Sequence, residues 1–295
     1  MSRIVCAAHA KTNVLLRVLR RREDGFHEIL TRMTLLSLAD TLTVELLGKG
    51  KGLQLEVDGA DWSPRPGEEN LVQAAARVFA AATGLTVDAS VHLEKRIPSG
   101  AGLGGGSSDA AAMLRALDHL YRTDLGKFRL AAIAAGIGSD VPFFIHGQWC
   151  ECSGRGEIIT PIDVDWELPI VLLKPAFGVA TPDAYRRWAQ SSPIPGVLHV
   201  PQVCPWGEMV NDLERPVFEK FPVLAQMKMW LLDQPEVHAA LMSGSGSTML
   251  AVLSSQHGGE KLAERARREF GDSLWTHVGQ TLSEAAQASE TGSVA

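Results

Sequence analysis

The sequence predicts a mixed α/β or α+β protein, and three observations lead there. First, 45% of the 295 residues are hydrophobic, enough to bury the core of one large domain or of two ordinary ones. Second, segments that alternate apolar and polar residues, such as Leu53, Leu55 and Val57, interleave with longer alanine-rich segments of helical character. Third, 28 glycines accompany only 6% aromatic residues, a mix that suits an enzyme with tight turns rather than an aromatic-rich binding module.

The elements follow in order. Ile4 to Arg20 alternates loosely and reads as one or two strands, closed by a Glu23-Asp24-Gly25 turn. Ile29–Leu38 and the β-branched Thr41–Leu47 read as further strands. A glycine-rich loop, 48–52, leads to the strand at Leu53–Val57, and 58–69 is a polar loop. Asn70 can cap a helix over 71–82. Val87, Ala89, Val91 and Leu93 alternate as a strand; a helix starts at Ser107 or Ser108 and reaches Leu120, and another covers Phe128–Ala135. Val141–His146 and Trp149–Cys152 are strand-like. The stretch 158–166 reads as the boundary between domains, giving units of 1–157 and 158–284.

In the second unit, Leu168–Lys174 is a strand, Asp183–Ala189 a helix, and Ser191–Pro205 a proline-rich connector with no clear element. Helices follow at 213–221 and 224–232. Val237–Leu241 is short and apolar; Thr248–Leu253 is a strand, 260–270 a charged helix and Leu274–Val278 a last strand. The small polar tail, 285–295, is expected to be disordered.

Charge narrows the function classes. The formal net charge is −6, whereas a duplex-binding domain is usually basic. Glu23 and Asp24 dilute the Arg20–Arg21–Arg22 run, so no nucleic-acid partner is expected. The four cysteines (Cys6, Cys150, Cys152 and Cys204) lack the density of a disulfide framework and the spacing of a zinc site. No segment offers about 18 uncharged apolar residues for a membrane span, and the N-terminal apolar run is too short for a signal peptide. A cytoplasmic enzyme is expected.

The informative segment runs from Pro98 to Asp109. Five glycines occupy the seven positions from Gly100 to Gly106. Glycine reaches backbone conformations closed to other residues and lets a ligand approach closely, and the helix behind adds free N–H groups and the positive end of its dipole. A polyphosphate fits that arrangement. Gly100, Gly102 and Gly105 also satisfy the short dinucleotide-binding pattern GxGxxG, but Lys95, Arg96 and Pro98 separate them from the strand. A P-loop needs Gly-Lys-Ser/Thr, and this chain has Gly-Ser-Ser. A plain surface loop is the remaining reading.

Pro-Ser-Gly-Ala-Gly-Leu-Gly-Gly-Gly-Ser-Ser-Asp at 98–109 resembles the phosphate-binding motif of the galactokinase, homoserine kinase, mevalonate kinase and phosphomevalonate kinase (GHMP) superfamily. Ala10-Lys11-Thr12-Asn13 resembles its N-terminal motif, and Leu241 to Ser247 its C-terminal glycine motif, in the same order. Arg22 to His27, Gly138 to Phe144 and Asn211-Asp212 narrow the resemblance to the branch that phosphorylates the 2-hydroxyl of a cytidine-diphosphate-linked methylerythritol in non-mevalonate isoprenoid synthesis.

The resemblance implies a two-domain α+β GHMP kinase fold with the active site in the interdomain cleft, ATP and Mg2+ as cofactors, and a monomer or weak homodimer. It implies catalysis by Lys11 and Asp140. Nucleotide binding would fall to Pro98, Ser99, Gly100, Ala101, Gly102, Leu103, Gly104, Gly105, Gly106, Ser107 and Ser108. Substrate contacts would come from Asn13, Phe26, His27, Lys95, Thr181, Gly244, Ser245 and Gly246. From the residues alone, Asp140 is a base or a capping residue at the start of an apolar strand, Lys11 a phosphate partner or a snorkelling lysine, and Lys95 a diphosphate contact or a solvated strand end. Asp109 caps or supports its helix. Phenylalanine at 26, where this branch commonly has tyrosine, keeps a stacking ring and drops the hydroxyl. The competing functions are a related kinase acting on homoserine, mevalonate or a sugar, and a non-catalytic nucleotide-binding protein.

Overall fold

The computed structural model describes residues 2–59, 69–164 and 166–283. The expected disordered tail, 285–295, and most of the polar loop at 58–69 lie outside them. Among the described residues no helix is long and apolar enough to cross a membrane.

Two long antiparallel strands, β1 (Arg3–Arg21) and β2 (His27–Leu46), form the spine. The stretches read as separate strands at 29–38 and 41–47 are therefore one. Register slips between His9 and Lys11, Asn13 and Leu15, and Val18 and Arg20. Such bulges bend a strand and re-aim its side chains. Here Ala10 to Leu16 are buried without a break, including Lys11, Thr12 and Asn13. Bulging thus places three polar side chains where alternation alone would bury only one face.

β3 (Leu53–Asp58) and β4 (Ala89–Glu94) are parallel, and β4 joins β2. The crossover between them is α1 (Leu71–Thr83), which starts where the sequence predicts. Asn70 Oδ1 accepts from Val72 N at 2.9 Å and Gln73 Oε1 from Asn70 N at 3.3 Å, a reciprocal cap. Then come α2 (Gly105–Tyr121), α3 (Gly126–Ala134), α4 (Val141–His146), β5 (Cys150–Ser153) and β6 (Ile158–Pro161). Cys150 and Cys152 do share one buried side of β5.

Val141–His146 is a correction: it is a helical turn, not a strand. A six-residue apolar run shows no period that separates the two. Pro142 suits the first helical turn, Gly147 closes it at φ 68°, and burial of five consecutive residues satisfies either structure.

The second sheet runs β10-β11-β7-β12, all antiparallel, with β7 at Pro169–Lys174, β10 at Val237–Met242, β11 at Met249–Leu253 and β12 at Trp275–Gln280. Its helices are α5 (Thr181–Trp188), α6 (Glu214–Lys220), α7 (Pro222–Leu232) and α8 (Gly259–Phe270). The connector, 191–205, holds strand structure that its prolines hide: β8 (Gln202–Cys204) lies inside it and β9 (Gly207–Asn211) just past it, and both return to the first sheet, whose order is β3-β4-β2-β1-β9-β8. β6 lies past the expected division after 157 yet pairs with β5, so the chain changes sheets between 162 and 168.

Each half has its own apolar core, around Leu93, Met113 and Phe143 in one and around Leu173, Phe218 and Met227 in the other. A third cluster, with Ala10, Leu36, Leu103, Leu172 and Leu241, packs the two sheets together. This seam floors the cleft between them.

Candidate active site

One cleft of about 1290 Å³ runs between the two halves, lined by residues of β1, β2, the glycine segment, α5 and the Gly244–Ser245 turn. Ordinary ligand pockets measure about 300–1,000 Å³, so two ligands fit here together.

The glycine segment bends through Gly100, Gly102 and Gly104 at φ 62°, 75° and 71°, a left-handed region that favours glycine. It wraps over β1, where Lys11 N donates to Leu103 O at 2.9 Å. At Gly102 and Gly104 the space is also closed to side chains. A Cβ on Gly102 would lie 2.3 Å from Ser243 O, and one on Gly104 would lie 2.7 Å from Phe144 Cζ. α2 begins at Gly105, slightly ahead of the predicted Ser107, with no side-chain cap. Its first N–H groups are therefore open to an anion at the cleft wall. Ser107 lines that wall, whereas Ser108 is 1% exposed.

Lys11 Nζ stands 3.8 Å from Asp140 Oδ2 and donates to Asn13 Oδ1 at 2.6 Å. Asn13 Nδ2 in turn donates to Thr31 Oγ1 at 2.7 Å, and Thr31 donates to Leu15 O at 2.6 Å. Asn13 thus holds the lysine rather than standing free. Burial pushes the Lys11 amine below its usual range, with Asp140 opposing that shift. Asp140 sits just before α4 and makes no side-chain capping bond. Its carboxylate is 43% exposed, open to an incoming hydroxyl.

The second glycine turn meets this pair from the opposite half. A Cβ on Gly244 would lie 3.2 Å from both Lys11 Nζ and Asn13 Oδ1. Thr12 Oγ1 donates to Ser243 Oγ at 3.1 Å, and Ser245 and Thr181 hydroxyls are 2.7 Å apart. Gly246 follows that contact, its N donating to Ser243 O at 2.9 Å. Asn211 fixes the turn from below through Nδ2 bonds of 2.7 Å to Met242 O and Gly244 O. That gives the Asn211-Asp212 segment a physical task.

At the far end of the cleft, Phe26 is 52% exposed, and His27 stacks on Tyr185 at 5.4 Å and 28°. Burial, then the charge of Arg21, lowers the His27 pKa. The neutral ring can offer one donor and one acceptor to a base edge. Tyr185 was missed in the sequence because α5 reads as an ordinary amphipathic helix. Only its stacking on His27 of β2 makes it a wall of the cleft. Glu69, Asn70 and Leu71 also line the cleft, although the sequence marks them only as the end of a polar loop and the start of α1.

Lys95 is neither a solvated strand end nor free. Its ammonium is held by Asp40 and, at 2.6 Å, by Asp109 Oδ2. Asp40 also accepts from Ile97 N at 2.8 Å. This buried trio lies beneath the start of α2, with Lys95 Nζ 3.3 Å from a Cβ placed on Gly105. Burial first, and then the Asp40 charge against the opposing pull of Lys95, raises Asp109 from 3.8 to about 7.

Residues 70–148 match the family described as GHMP kinases N terminal domain, and 205–272 match GHMP kinases C terminal. A 4-diphosphocytidyl-2-C-methyl-D-erythritol kinase of Thermodesulfovibrio yellowstonii is 33% identical over 294 residues, covering 95% of this chain and 99% of its own. One of Methylacidiphilum infernorum is 36% identical over 278 residues, covering 93% and 96%. A crystal structure of 4-(cytidine 5'-diphospho)-2C-methyl-D-erythritol kinase superimposes with a TM-score of 0.76 at 35% identity, covering 94% of this chain and 99% of that one.

Proposed function

Because the chain belongs to the GHMP kinase family, alongside its 4-diphosphocytidyl-2-C-methyl-D-erythritol kinases, we propose that it transfers the γ-phosphoryl group of ATP to the 2-hydroxyl of 4-diphosphocytidyl-2-C-methyl-D-erythritol. The products are the 2-phosphate and ADP. The observation that carries the reading is the Lys11–Asp140 pair, 3.8 Å apart, between an uncapped helix start on one side and the aromatic end of the cleft on the other.

Each group has a task in that geometry. The glycine segment and the first amides of α2 bind the nucleotide phosphates and fix the γ-phosphoryl group near Lys11. Phe26, His27 and Tyr185 take the cytosine, so the methylerythritol hydroxyl extends toward Asp140. Asp140 accepts the hydroxyl proton as the oxygen attacks phosphorus. Lys11 stabilises the charge on the transferred group, and its low-dielectric setting strengthens that effect. The Thr181–Ser245 contact and the Gly244 turn close the acceptor side, which limits water access to the phosphoryl group.

Magnesium fits here as a companion of the nucleotide. Among the described residues no cluster of three or more His, Cys, Asp and Glu could hold a metal ion, whereas Ser107 lines the cleft in the first turn of α2. There it would complete a shell made mainly of phosphate oxygens and offset their charge. This reading assigns the enzyme to the cytoplasm, acting as a monomer or weak homodimer without nucleic acid.

The test is ATP- and magnesium-dependent phosphorylation of the cytidylylated acceptor, with homoserine and mevalonate as alternative acceptors. Product from the first alone is expected. Turnover of another acceptor by folded, ATP-binding protein, without turnover of the first, would reject the assignment.

A further inference from the structure

The turn that carries Phe26 is tied to a second hairpin. Within the turn, Arg22 N donates to Phe26 O at 2.8 Å, Phe26 N to Asp24 Oδ1 at 3.1 Å and Arg22 Nε to Asp24 Oδ2 at 3.1 Å. These bonds fix the backbone and leave the ring 52% exposed. Beside it stands the tip between β5 and β6. Ile29 N donates to Gly154 O at 2.8 Å, anchoring the tip to the start of β2. The Arg155 guanidinium then lies over the Phe26 ring, 4.8 Å from its centroid.

The tip is shaped to hold that arginine. Arg155 N donates to Glu157 Oε2 at 2.5 Å, and Arg155 Nε lies 3.6 Å from Glu157 Oε1. Gly154, at φ 71°, lets the Glu157 carboxylate fold back, because a Cβ there would lie 2.8 Å from Glu157 Oε2. Charges alternate between the two tips: Arg155 acts favourably on Asp24, and Glu157 on Arg22. Arg155, Phe26 and Gly156 all line the acceptor end of the cleft.

We propose that Arg155 is a positioning residue for acceptor recognition, its guanidinium covering one face of the Phe26 ring and leaving the other for the pyrimidine. Phenylalanine has no hydroxyl by which a hydrogen bond could fix its ring, and an exposed ring otherwise samples several rotamers. A cation on one face restricts it before the base arrives, so less freedom is lost on binding. The inference rests on the cytidine reading of this end of the cleft.

The test compares Arg155→Ala, Arg155→Lys, Phe26→Ala and the Arg155→Ala/Phe26→Ala double variant. Acceptor KM, ATP KM and kcat are measured, along with calorimetric binding of cytidine 5'-monophosphate and cytidine 5'-diphosphate. Arg155→Ala should raise the acceptor KM about two- to fivefold, the size of an exposed cation–π contact, with kcat and ATP KM unmoved. Arg155→Lys should restore part of the loss. Both nucleotides should weaken by the same factor, and the substitution should add nothing once Phe26 is alanine.

A loss that persists in the Phe26→Ala background, or that grows from the monophosphate to the diphosphate, would overturn the proposal in favour of direct phosphate contact. Unchanged acceptor KM and nucleotide binding would overturn it outright. If wild type binds the cytidine nucleotides but does not turn over the acceptor, the proposed reaction fails, and the binding series still decides Arg155. If wild type binds neither nucleotide, both readings fall.

Discussion

Lys11 and Asp140 reach each other, Nζ to Oδ2 at 3.8 Å, from a bulged strand and from the residue just before a one-turn helix. Neither element is regular there. The bulge on β1 turns Lys11 inward, and the short α4 lifts the Asp140 carboxylate to the cleft floor without binding it as a cap. Bulges and element ends are where a scaffold can aim a side chain at a ligand.

That pair sets the first expectation. Asp140→Asn keeps the shape and removes the proton acceptor, so kcat should fall about 10²–10⁴-fold, with ATP binding retained. Lys11→Met should cost a comparable factor. Because the two act as a unit, the double variant should lose little more than either single one. Steady-state kinetics with calorimetric ATP binding would check this; additive losses would separate their roles.

The pH profile follows from Lys11. Burial depresses its pKa below the ordinary lysine value of 10.5, and Asp140 only partly restores it. In the proposed reaction the protonated form is the one that stabilises the phosphoryl charge, so kcat/KM should fall on the alkaline side before pH 10.5. Lys11→Arg, which stays charged throughout, should lose activity overall but also lose that limb. An alkaline limb persisting unchanged in the arginine variant would assign it to another group.

Asp109 carries a separate pH signature. Its carboxyl is raised to about 7, so between its unfolded value near 3.8 and 7 the folded protein holds a proton that the unfolded chain has released. Stability therefore declines as pH rises through this window and levels off above it. Asp109→Asn, neutral throughout, should flatten that slope. Urea unfolding at a series of pH values from 4 to 8 would show it; parallel slopes in the two proteins would refute it.

Gly102 is the most constrained position of the glycine segment. A Cβ there would meet Ser243 O at 2.3 Å and Gly246 O at 2.9 Å, on backbone held at φ 75°. Gly102→Ala must push apart the two glycine turns from opposite halves. With the phosphate loop and acceptor turn displaced, kcat/KM should fall by up to about 10²-fold, the kind of loss a displacement near 1 Å produces. Gly50→Ala, where open space surrounds an equally positive φ of 79°, should affect stability alone. Equal kinetic effects of both substitutions would show that backbone strain, not closeness, is what matters.

Much of the machinery is legible in the chain because it is local. The glycine run declares a backbone that approaches a ligand and launches a helix. Asn70 declares a cap, and the order of the three glycine and lysine motifs declares the family. These features depend on neighbours a few residues away, which a sequence displays directly. Burial of Lys11, Thr12 and Asn13 does not, because it comes from register slips against β2.

Tertiary structure decided the rest. It made 141–146 a helix, since an apolar run that short satisfies either geometry and only packing chooses. It drew β8 out of a proline-rich connector by pairing it with β9, which in turn takes β1 as its partner. It turned Lys95 from a solvated strand end into the centre of a buried trio, and Asn13 into the support of Lys11. It also brought Tyr185 and Arg155 to the end of the cleft lined by Phe26 and His27. Sequence by itself determined the chemistry available and the fold that would carry it. Which groups face one another was settled by long-range packing of the two sheets, whose contacts join residues that no local pattern connects.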